Sequence, residues 1–162
     1  MYTVRARVDA GDGWTDLGDG VTVPSRMTIE VTGDYEVTLQ VVVRDGRFVC
    51  ETIRADEITG ELLRLLPIRE LIRSGVIDAT AISASPSSDL SLSAADLAKD
   101  GPTDDALRAA AAVYRLAHAV GDPPTKNVAL SLHIGYSTAS RWLRLARDKG
   151  ILGETRQGKA GV

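Results

Sequence analysis

Polar side chains with strong hydrogen-bonding groups recur at helical spacing in the last third of the chain: Tyr136, Ser137, Ser140, Arg141 and Arg144. Arginine donates two parallel hydrogen bonds to O6 and N7 of guanine. Serine reaches a base edge or a phosphate, and tyrosine bonds a phosphate or packs against a thymine methyl group. We therefore predict that the outer face of a helix over residues 137–149 contacts base edges, mainly through Arg141 and Arg144.

A second group, mostly cationic, lies towards the edges of the same C-terminal region and in its tail: Thr125, Lys126, Arg147, Lys149, Arg156 and Lys159. Lysine and arginine neutralise phosphate charge and so give affinity for DNA without sequence preference. We predict that this group contacts the DNA backbone. Residues 156–161 are open to two interpretations, a short wing or a basic tail that follows the DNA backbone. Because they lack strand-forming side chains, a basic, glycine-rich tail over 156–162 is predicted.

Three predicted helices position these side chains. The first begins at Thr103, a favourable N-cap residue, and ends at Gly121. Its apolar stripe consists of Leu107, Ala110, Ala111, Tyr114 and Ala117. The second starts near Lys126 and directs Val128, Ala129 and Leu132 inward. After a break at 133–135, the third buries Ala139, Trp142, Leu143 and Ala146.

This arrangement resembles the helix-turn-helix family of DNA-binding domains, in which the second helix enters the major groove. Ala129 matches the small residue where the two helices cross, and the apolar positions around it are matched by Val128, Leu132, Ile134, Ala139 and Trp142. The segment RWLRLARDKGIL at 141–152 is similar to helix-turn-helix proteins of actinobacteria and their phages. The resemblance covers about residues 103–152 and implies double-stranded DNA as the partner.

Two residues depart from the family pattern. His133 occupies the turn position that glycine usually holds, and histidine is among the residues tolerated in that left-handed conformation. Gly135 stands where serine often caps the second helix, so either Gly135 or Ser137 is expected to be the cap. The packing positions around the turn are retained.

The first half of the chain alternates apolar and polar residues as strands do. Strands are predicted over 2–8, 27–31, 36–43 and 48–53, with a tight hairpin at Asp45-Gly46. Thr59 is predicted to cap a helix that covers the sheet with its leucines, and a second helix is expected over 68–74, closed by Gly75. The predicted fold class is α+β: an antiparallel sheet with short helices, a serine-rich linker, and an all-α helix-turn-helix domain.

These patterns divide the chain into an α+β domain over 1–80, a linker over 81–102, a helical domain over 103–155 and the tail. The net charge of −3 is uneven, because residues 1–100 carry 10 basic and 17 acidic side chains while residues 101–162 carry 9 and 5. The acidic half should repel nucleic acid and the basic half attract it.

Other chemistry has little support in the sequence. Cys50 is the only cysteine and is expected to be buried and inert, and His118 and His133 are the only histidines, so no metal or cofactor is expected. The glycine- and aspartate-rich run over 9–20 lacks calcium-loop spacing and is predicted to be a polar loop between strands. Apolar runs are too short to span a membrane and no signal peptide is recognised, which favours the cytoplasm.

The leading hypothesis is a non-enzymatic, sequence-specific DNA-binding protein, a transcriptional regulator or phage-type control protein that dimerises through its N-terminal domain. A second hypothesis is an interaction module, in which the helical domain is a scaffold and the acidic domain binds a partner protein through the hairpin edge. A third is an enzyme acting on DNA, but the acidic residues show no recognisable paired arrangement.

Overall fold

The computed structural model describes residues 2–9, 11, 13–18, 20–82 and 95–153, the side chains of 80–82 excepted. The described residues form two compact units. One, here called the sheet unit, takes in residues 2–15 and 23–82; the other, the helical unit, takes in residues 16–22 and 95–153. The fold class is α+β, as the sequence predicts. Residues 83–94 of the predicted linker over 81–102, and the whole predicted tail over 156–162, lie outside the described residues.

A four-stranded antiparallel sheet forms most of the sheet unit. Its strands are β1 (Thr3–Arg7), β4 (Arg26–Thr32), β5 (Val37–Arg44) and β6 (Arg47–Arg54), in that spatial order. Alternation places one set of apolar side chains on a single buried face: Ala6, Met27, Ile29, Val31, Val37, Leu39 and Val41. Asp45 and Gly46 both have positive φ, 52° and 72°, which confirms the predicted tight hairpin between β5 and β6.

Two helices follow the sheet. Thr59 caps α1 (Gly60–Leu65), its Oγ1 accepting from the Leu62 N–H at 3.1 Å, as predicted. The prediction that the leucines all cover the sheet is wrong: Leu66 is buried, but Leu63 and Leu65 are 49% and 62% exposed. Pro67 separates α1 from α2 (Ile68–Ile82), which buries Leu71, Ile72, Val76 and Ala79.

Gly75 does not end a helix, contrary to the prediction; it lies inside α2, which continues to Ile82. A Cβ built on Gly75 would lie 2.5 Å from Cδ1 and 2.8 Å from Cγ1 of Ile29. The glycine therefore lets the α2 backbone approach β4 closely. Tertiary packing accounts for this glycine, whereas the sequence suggested a stop signal.

Replacing Gly75 by alanine should destabilise the sheet unit. Alanine gains about 1 kcal/mol of helix propensity, but overpacking costs about 1–3 kcal/mol, so a net loss of about 1–2 kcal/mol in unfolding free energy is expected. Ile29→Val removes the closest atom, so the double variant should lose less than the sum of the two single variants. Denaturant unfolding measures all three, and a neutral or stabilising Gly75→Ala would contradict the close approach.

The run over 9–20 is more structured than the predicted polar loop. Trp14–Asp16 forms β2, which pairs with β3 (Thr22–Pro24) in a separate two-stranded sheet. Residues 16–22 belong to the helical unit, where a Cβ on Gly18 would lie 2.7 Å from Nε of the buried Arg115. The Arg115 guanidinium also donates to the Ile151 carbonyl at 3.1 Å. Local sequence patterns do not predict this packing.

Cys50 also differs from its prediction, because its side chain is half-buried. It lies on β6 beside a register irregularity, and its Sγ donates to the Thr52 carbonyl at 3.5 Å. Partial burial raises the pKa of the Cys50 thiol, although the hydrogen bond opposes this effect. The thiolate, which is the reactive form, is therefore disfavoured.

The helical unit contains a short helical stretch over 95–100, within the predicted linker, and three longer helices. These are α3 (Asp104–Val120), α4 (Pro124–Ser131) and α5 (Tyr136–Asp148). Thr103 caps α3 by accepting from the Ala106 N–H at 3.2 Å, and α3 ends at Gly121, both as predicted. α5 begins and ends one residue earlier than predicted. All three helices contribute to one core: Ala106, Leu107, Ala109, Ala110, Ala111, Tyr114, Val128, Leu132, Ala139, Trp142, Leu143, Ala146 and Leu152.

Candidate nucleic-acid interface

The connection between α4 and α5 consists of four residues, 132–135, and its apolar members are held in the core. Leu132 is fully buried, and Ile134 packs partly buried against the same core cluster, as does Ala129 of α4. The side chains that were predicted to bracket the turn therefore meet in one core. This anchors both helices on α3 and limits the freedom of α5.

His133 adopts the left-handed conformation expected of it, with φ of 55°. Its N–H donates to the Leu130 carbonyl at 3.3 Å, and the Ile134 N–H donates to the Ala129 carbonyl at 3.0 Å. Together the two bonds form a Schellman motif, the commonest way in which a helix ends on a left-handed residue. α5 ends in the same way. Gly150 (φ 73°) takes the place of His133, and the Ile151 N–H donates to the Ala146 carbonyl.

Replacing His133 by glycine should stabilise the helical unit. A side chain in the left-handed region costs about 1–2 kcal/mol, part of which the greater entropy of glycine in the unfolded chain offsets. A gain of about 0.5–1 kcal/mol in unfolding free energy is expected. Gly150→Ala is the matched control: its Cβ meets no atom within 4 Å, so the variant should lose a similar amount through conformation alone. Thermal melting tests both, and a destabilising His133→Gly would show that the imidazole makes a contact that outweighs the strain.

Gly135 is the N-cap of α5, which settles the choice between Gly135 and Ser137. Its φ and ψ are −65° and 151°, and its carbonyl accepts from the Ala139 N–H at 2.9 Å. No side chain of the described residues caps this helix end. Ser137 is thus left exposed in the first turn, where the helix dipole favours an anionic group.

All five predicted base-contacting residues are exposed on α5: Tyr136, Ser137, Ser140, Arg141 and Arg144. Tyr136, at the first helical position, is 64% exposed. The two serines and two arginines follow the i, i+3, i+4, i+7 spacing and so share one helix face. The opposite face carries the buried side chains Ala139, Trp142, Leu143 and Ala146. Neither Arg141 nor Arg144 forms an ion pair within the described part of the chain, so both guanidinium groups are available to a ligand.

The predicted backbone-contacting residues fall into three groups. Thr125 and Lys126 lie in the first turn of α4, with Lys126 exposed and Thr125 half-buried. Arg147 and Lys149 lie at the end of α5 and contact other side chains of the helical unit. Arg156 and Lys159 lie outside the described residues.

Contacts with α3 occupy both cations at the end of α5. The Arg147 guanidinium lies over the Tyr114 ring, 5.4 Å from its centroid. Lys149 Nζ lies 2.6 Å from Asp104 Oδ1, at the start of α3. The hydrogen bond and charge of Lys149 lower the pKa of the Asp104 carboxyl. Arg147 and Lys149 thus help to hold α5 on α3, a role that the sequence did not reveal because each partner lies more than thirty positions away.

α5 itself is predominantly basic. Asp148 is the only acidic residue on α5, against three arginines. An anionic polymer that approached α5 would meet exposed guanidinium groups at its centre and Lys126 on the neighbouring helix. Such an arrangement suits a ligand that presents both phosphates and hydrogen-bonding edges.

Within the described ranges, no helix combines the length and apolar character needed to cross a membrane. In that part of the chain, no three His, Cys, Asp or Glu side chains come together in a way that could hold a metal ion.

Comparison of the chain with protein-family models, with curated proteins and with solved structures found no match.

Proposed function

We propose that this chain is a sequence-specific, non-enzymatic DNA-binding protein that inserts α5 into the major groove. The observation that carries the proposal is the division of α5 into two faces. One face packs on α3 and α4, while the other presents Tyr136, Ser137, Ser140, Arg141 and Arg144. A helix in the major groove needs this combination, because only a firmly anchored helix can hold hydrogen-bonding groups in register with base edges.

The two arginines have the chemistry and spacing for guanine. Three residues of helix rise about 4.5 Å, close to the 3.4 Å separation of stacked base pairs. Arg141 and Arg144 can therefore reach neighbouring or nearly neighbouring base pairs, each with a bidentate pair of hydrogen bonds. Ser137, Ser140 and Tyr136 then lie nearer the start of α5, within reach of an adjacent base edge or phosphate.

Lys126 and Thr125 support the phosphate part of the proposal. Both lie in the first turn of α4, where backbone N–H groups and the positive end of the helix dipole favour an anion. We propose that they contact the DNA backbone beside the groove that α5 enters. Arg147 and Lys149 contribute long-range attraction and hold α5 in position, because their side chains are engaged with Tyr114 and Asp104.

The proposal extends to a homodimer that acts as a transcriptional regulator or phage-type control protein in the cytoplasm. A single helix-turn-helix reads few base pairs, and useful specificity usually needs a second copy. The sheet unit is the part of the chain to which we assign dimerisation.

The test is fluorescence anisotropy of the full chain against a pool of random duplexes over a series of salt concentrations. Binding should appear at low salt and weaken steeply as salt rises, because phosphate contacts release counterions. Arg5→Ala/Arg7→Ala removes two exposed arginines of β1 and should leave the salt dependence unchanged. Absence of binding at low salt would overturn the proposal and favour a partner protein for the acidic half.

A further inference from the structure

The four-stranded sheet has a second face, opposite the buried apolar one on which α2 packs, and its side chains are polar. Cross-strand pairing arranges them in rows over β1, β4, β5 and β6. One row consists of Arg5, Glu30, Thr38 and Arg54. The next row consists of Arg7, Thr28, Gln40 and Thr52. None of these side chains is buried, so this face of the sheet is open.

The same face continues to the hairpin between β5 and β6. Arg26 of β4 lies opposite Val42, and Arg44 lies opposite Arg47. By alternation these residues lie on the same side of the sheet as Thr28 and Gln40. Glu51 forms ion pairs with Arg26, at 3.2 Å, and with Arg44. Charged side chains therefore cover the face up to the turn.

Charge is divided between this face and the rest of the sheet unit. The described part of the unit contains nine arginines, no lysine and eleven acidic residues. The open face, here called the basic face, holds six of the arginines and only two of the acidic residues: Arg5, Arg7, Arg26, Arg44, Arg47, Arg54, Glu30 and Glu51. An acidic unit thus presents one surface that is predominantly positive.

The positive charge of the basic face is only partly neutralised within the chain. Glu30 pairs with Arg7 at 3.4 Å. Arg5 and Arg54 form no ion pair within the described residues, and they stand at opposite ends of one row. Three strand spacings place their backbones about 14 Å apart. The hydroxyl and amide groups of Thr38 and Gln40 lie between them, so a ligand with separated negative charges and hydrogen-bonding groups matches this surface.

The surroundings of the basic face favour a short anionic ligand over DNA or a second copy. A DNA duplex carries a charge about every 1.7 Å and extends beyond the face, where nine acidic residues of the described unit would repel it within about 10 Å. A second copy docked through the same face would bring two positive surfaces together. A short acidic polypeptide can remain within the face and meets neither cost.

We propose that the basic face binds a short acidic segment of a partner protein. Carboxylates of that segment pair with Arg5 and Arg54, and its backbone bonds to the polar groups between them. The proposal goes beyond DNA binding by α5 and does not depend on it, because the two surfaces belong to different units of the chain.

The first test is fluorescence anisotropy of the full chain with a labelled peptide of alternating glutamate and serine, about twelve residues long so that it can cross the sheet. The wild type should bind this peptide at low salt and should not bind a lysine–serine peptide of equal length. Arg5→Thr/Arg54→Thr should weaken binding by about three- to tenfold, because each exposed ion pair contributes modestly. Threonine retains strand propensity, and circular dichroism checks that the variant is folded.

Two further variants control for positive charge elsewhere. Arg64→Ala/Arg69→Ala removes the same charge from exposed positions after the sheet and should change the peptide affinity less than about twofold. Arg141→Ala/Arg144→Ala removes it from α5 and should also leave most of the peptide affinity. An equal loss in all three double variants would overturn the proposal, since overall charge would then determine binding.

Amide NMR shifts of the wild type on addition of the glutamate–serine peptide locate the site without any substitution. The changes should centre on the two rows of the basic face. Changes centred on α5, or no binding at low salt, would overturn the proposal. An equal loss of duplex binding in Arg5→Thr/Arg54→Thr would overturn it in favour of a DNA contact. Failure of α5 to bind DNA alters none of these outcomes.

Discussion

Alanine at both Arg141 and Arg144 is expected to weaken binding to a specific duplex by roughly thirtyfold to twenty-thousandfold. Each bidentate contact with guanine contributes about 1–3 kcal/mol of discrimination, so two contacts amount to about 2–6 kcal/mol. Both side chains are exposed and unpaired with any carboxylate in the described part of the chain, so their removal should leave the helical unit folded. Anisotropy with a preferred duplex and with a scrambled one gives the specific and non-specific affinities.

The salt dependence of the double variant distinguishes base contacts from phosphate contacts. If the arginines bond to bases, the slope of log affinity against log salt should stay near that of the wild type; if they bond to phosphates, it should fall by about 2. Arg5→Ala/Arg7→Ala removes the same charge from β1 and should affect neither affinity nor slope. An equal loss in both double variants would mean that overall charge, and not the α5 face, determines binding.

Alanine at Trp142 is expected to cost the helical unit about 3–5 kcal/mol of unfolding free energy, the usual range for truncating a buried aromatic side chain. Trp142 is only 3% exposed and belongs to the core formed by all three long helices. The whole unfolding free energy of a small domain is about 5–15 kcal/mol, so the variant should be close to unfolding at room temperature. Urea unfolding followed by circular dichroism measures the loss, and DNA binding should fall with the folded fraction.

Trp142→Phe separates packing from hydrogen bonding at this position. Nε1 of Trp142 is buried and has no hydrogen-bond partner among the described residues. Phenylalanine therefore removes volume but no hydrogen bond, and its cost should be well below that of alanine. Equal costs for the two substitutions would contradict this explanation and point to a bond made by the indole N–H.

Local signals in the sequence were sufficient for much of the helical unit and for one hairpin of the sheet unit. Thr103, Gly121 and the Asp45-Gly46 hairpin act through their own backbone geometry and hydrogen bonds, so their positions could be predicted without knowledge of the fold. The five exposed residues of α5 followed from periodicity, because a helix anchored on Ala139 and Trp142 must turn the intervening residues outward. Even the left-handed His133 was expected, since the apolar residues on both sides fixed the turn.

Contacts between distant residues could not be predicted in this way. Gly75 was predicted to end a helix. The close contact with Ile29 that leaves no room for a side chain at this position joins residues far apart in the sequence. Arg147 was predicted to contact phosphate, yet its guanidinium lies over Tyr114. Leu63 and Leu65 were predicted to cover the sheet but remain exposed, in a helix of six residues that buries none of them. In each case the outcome depends on how elements pack, which periodicity does not encode.

The central claim, that the outer face of α5 recognises base sequence, is tested most directly by selection from a randomised duplex pool with the wild type and with Arg141→Ala. The wild type should enrich a motif that contains guanines at one or two neighbouring positions. Arg141→Ala should lose the preference at one of them and keep the other, which belongs to Arg144. An identical motif for both proteins, or no enrichment by the wild type, would contradict base recognition by α5.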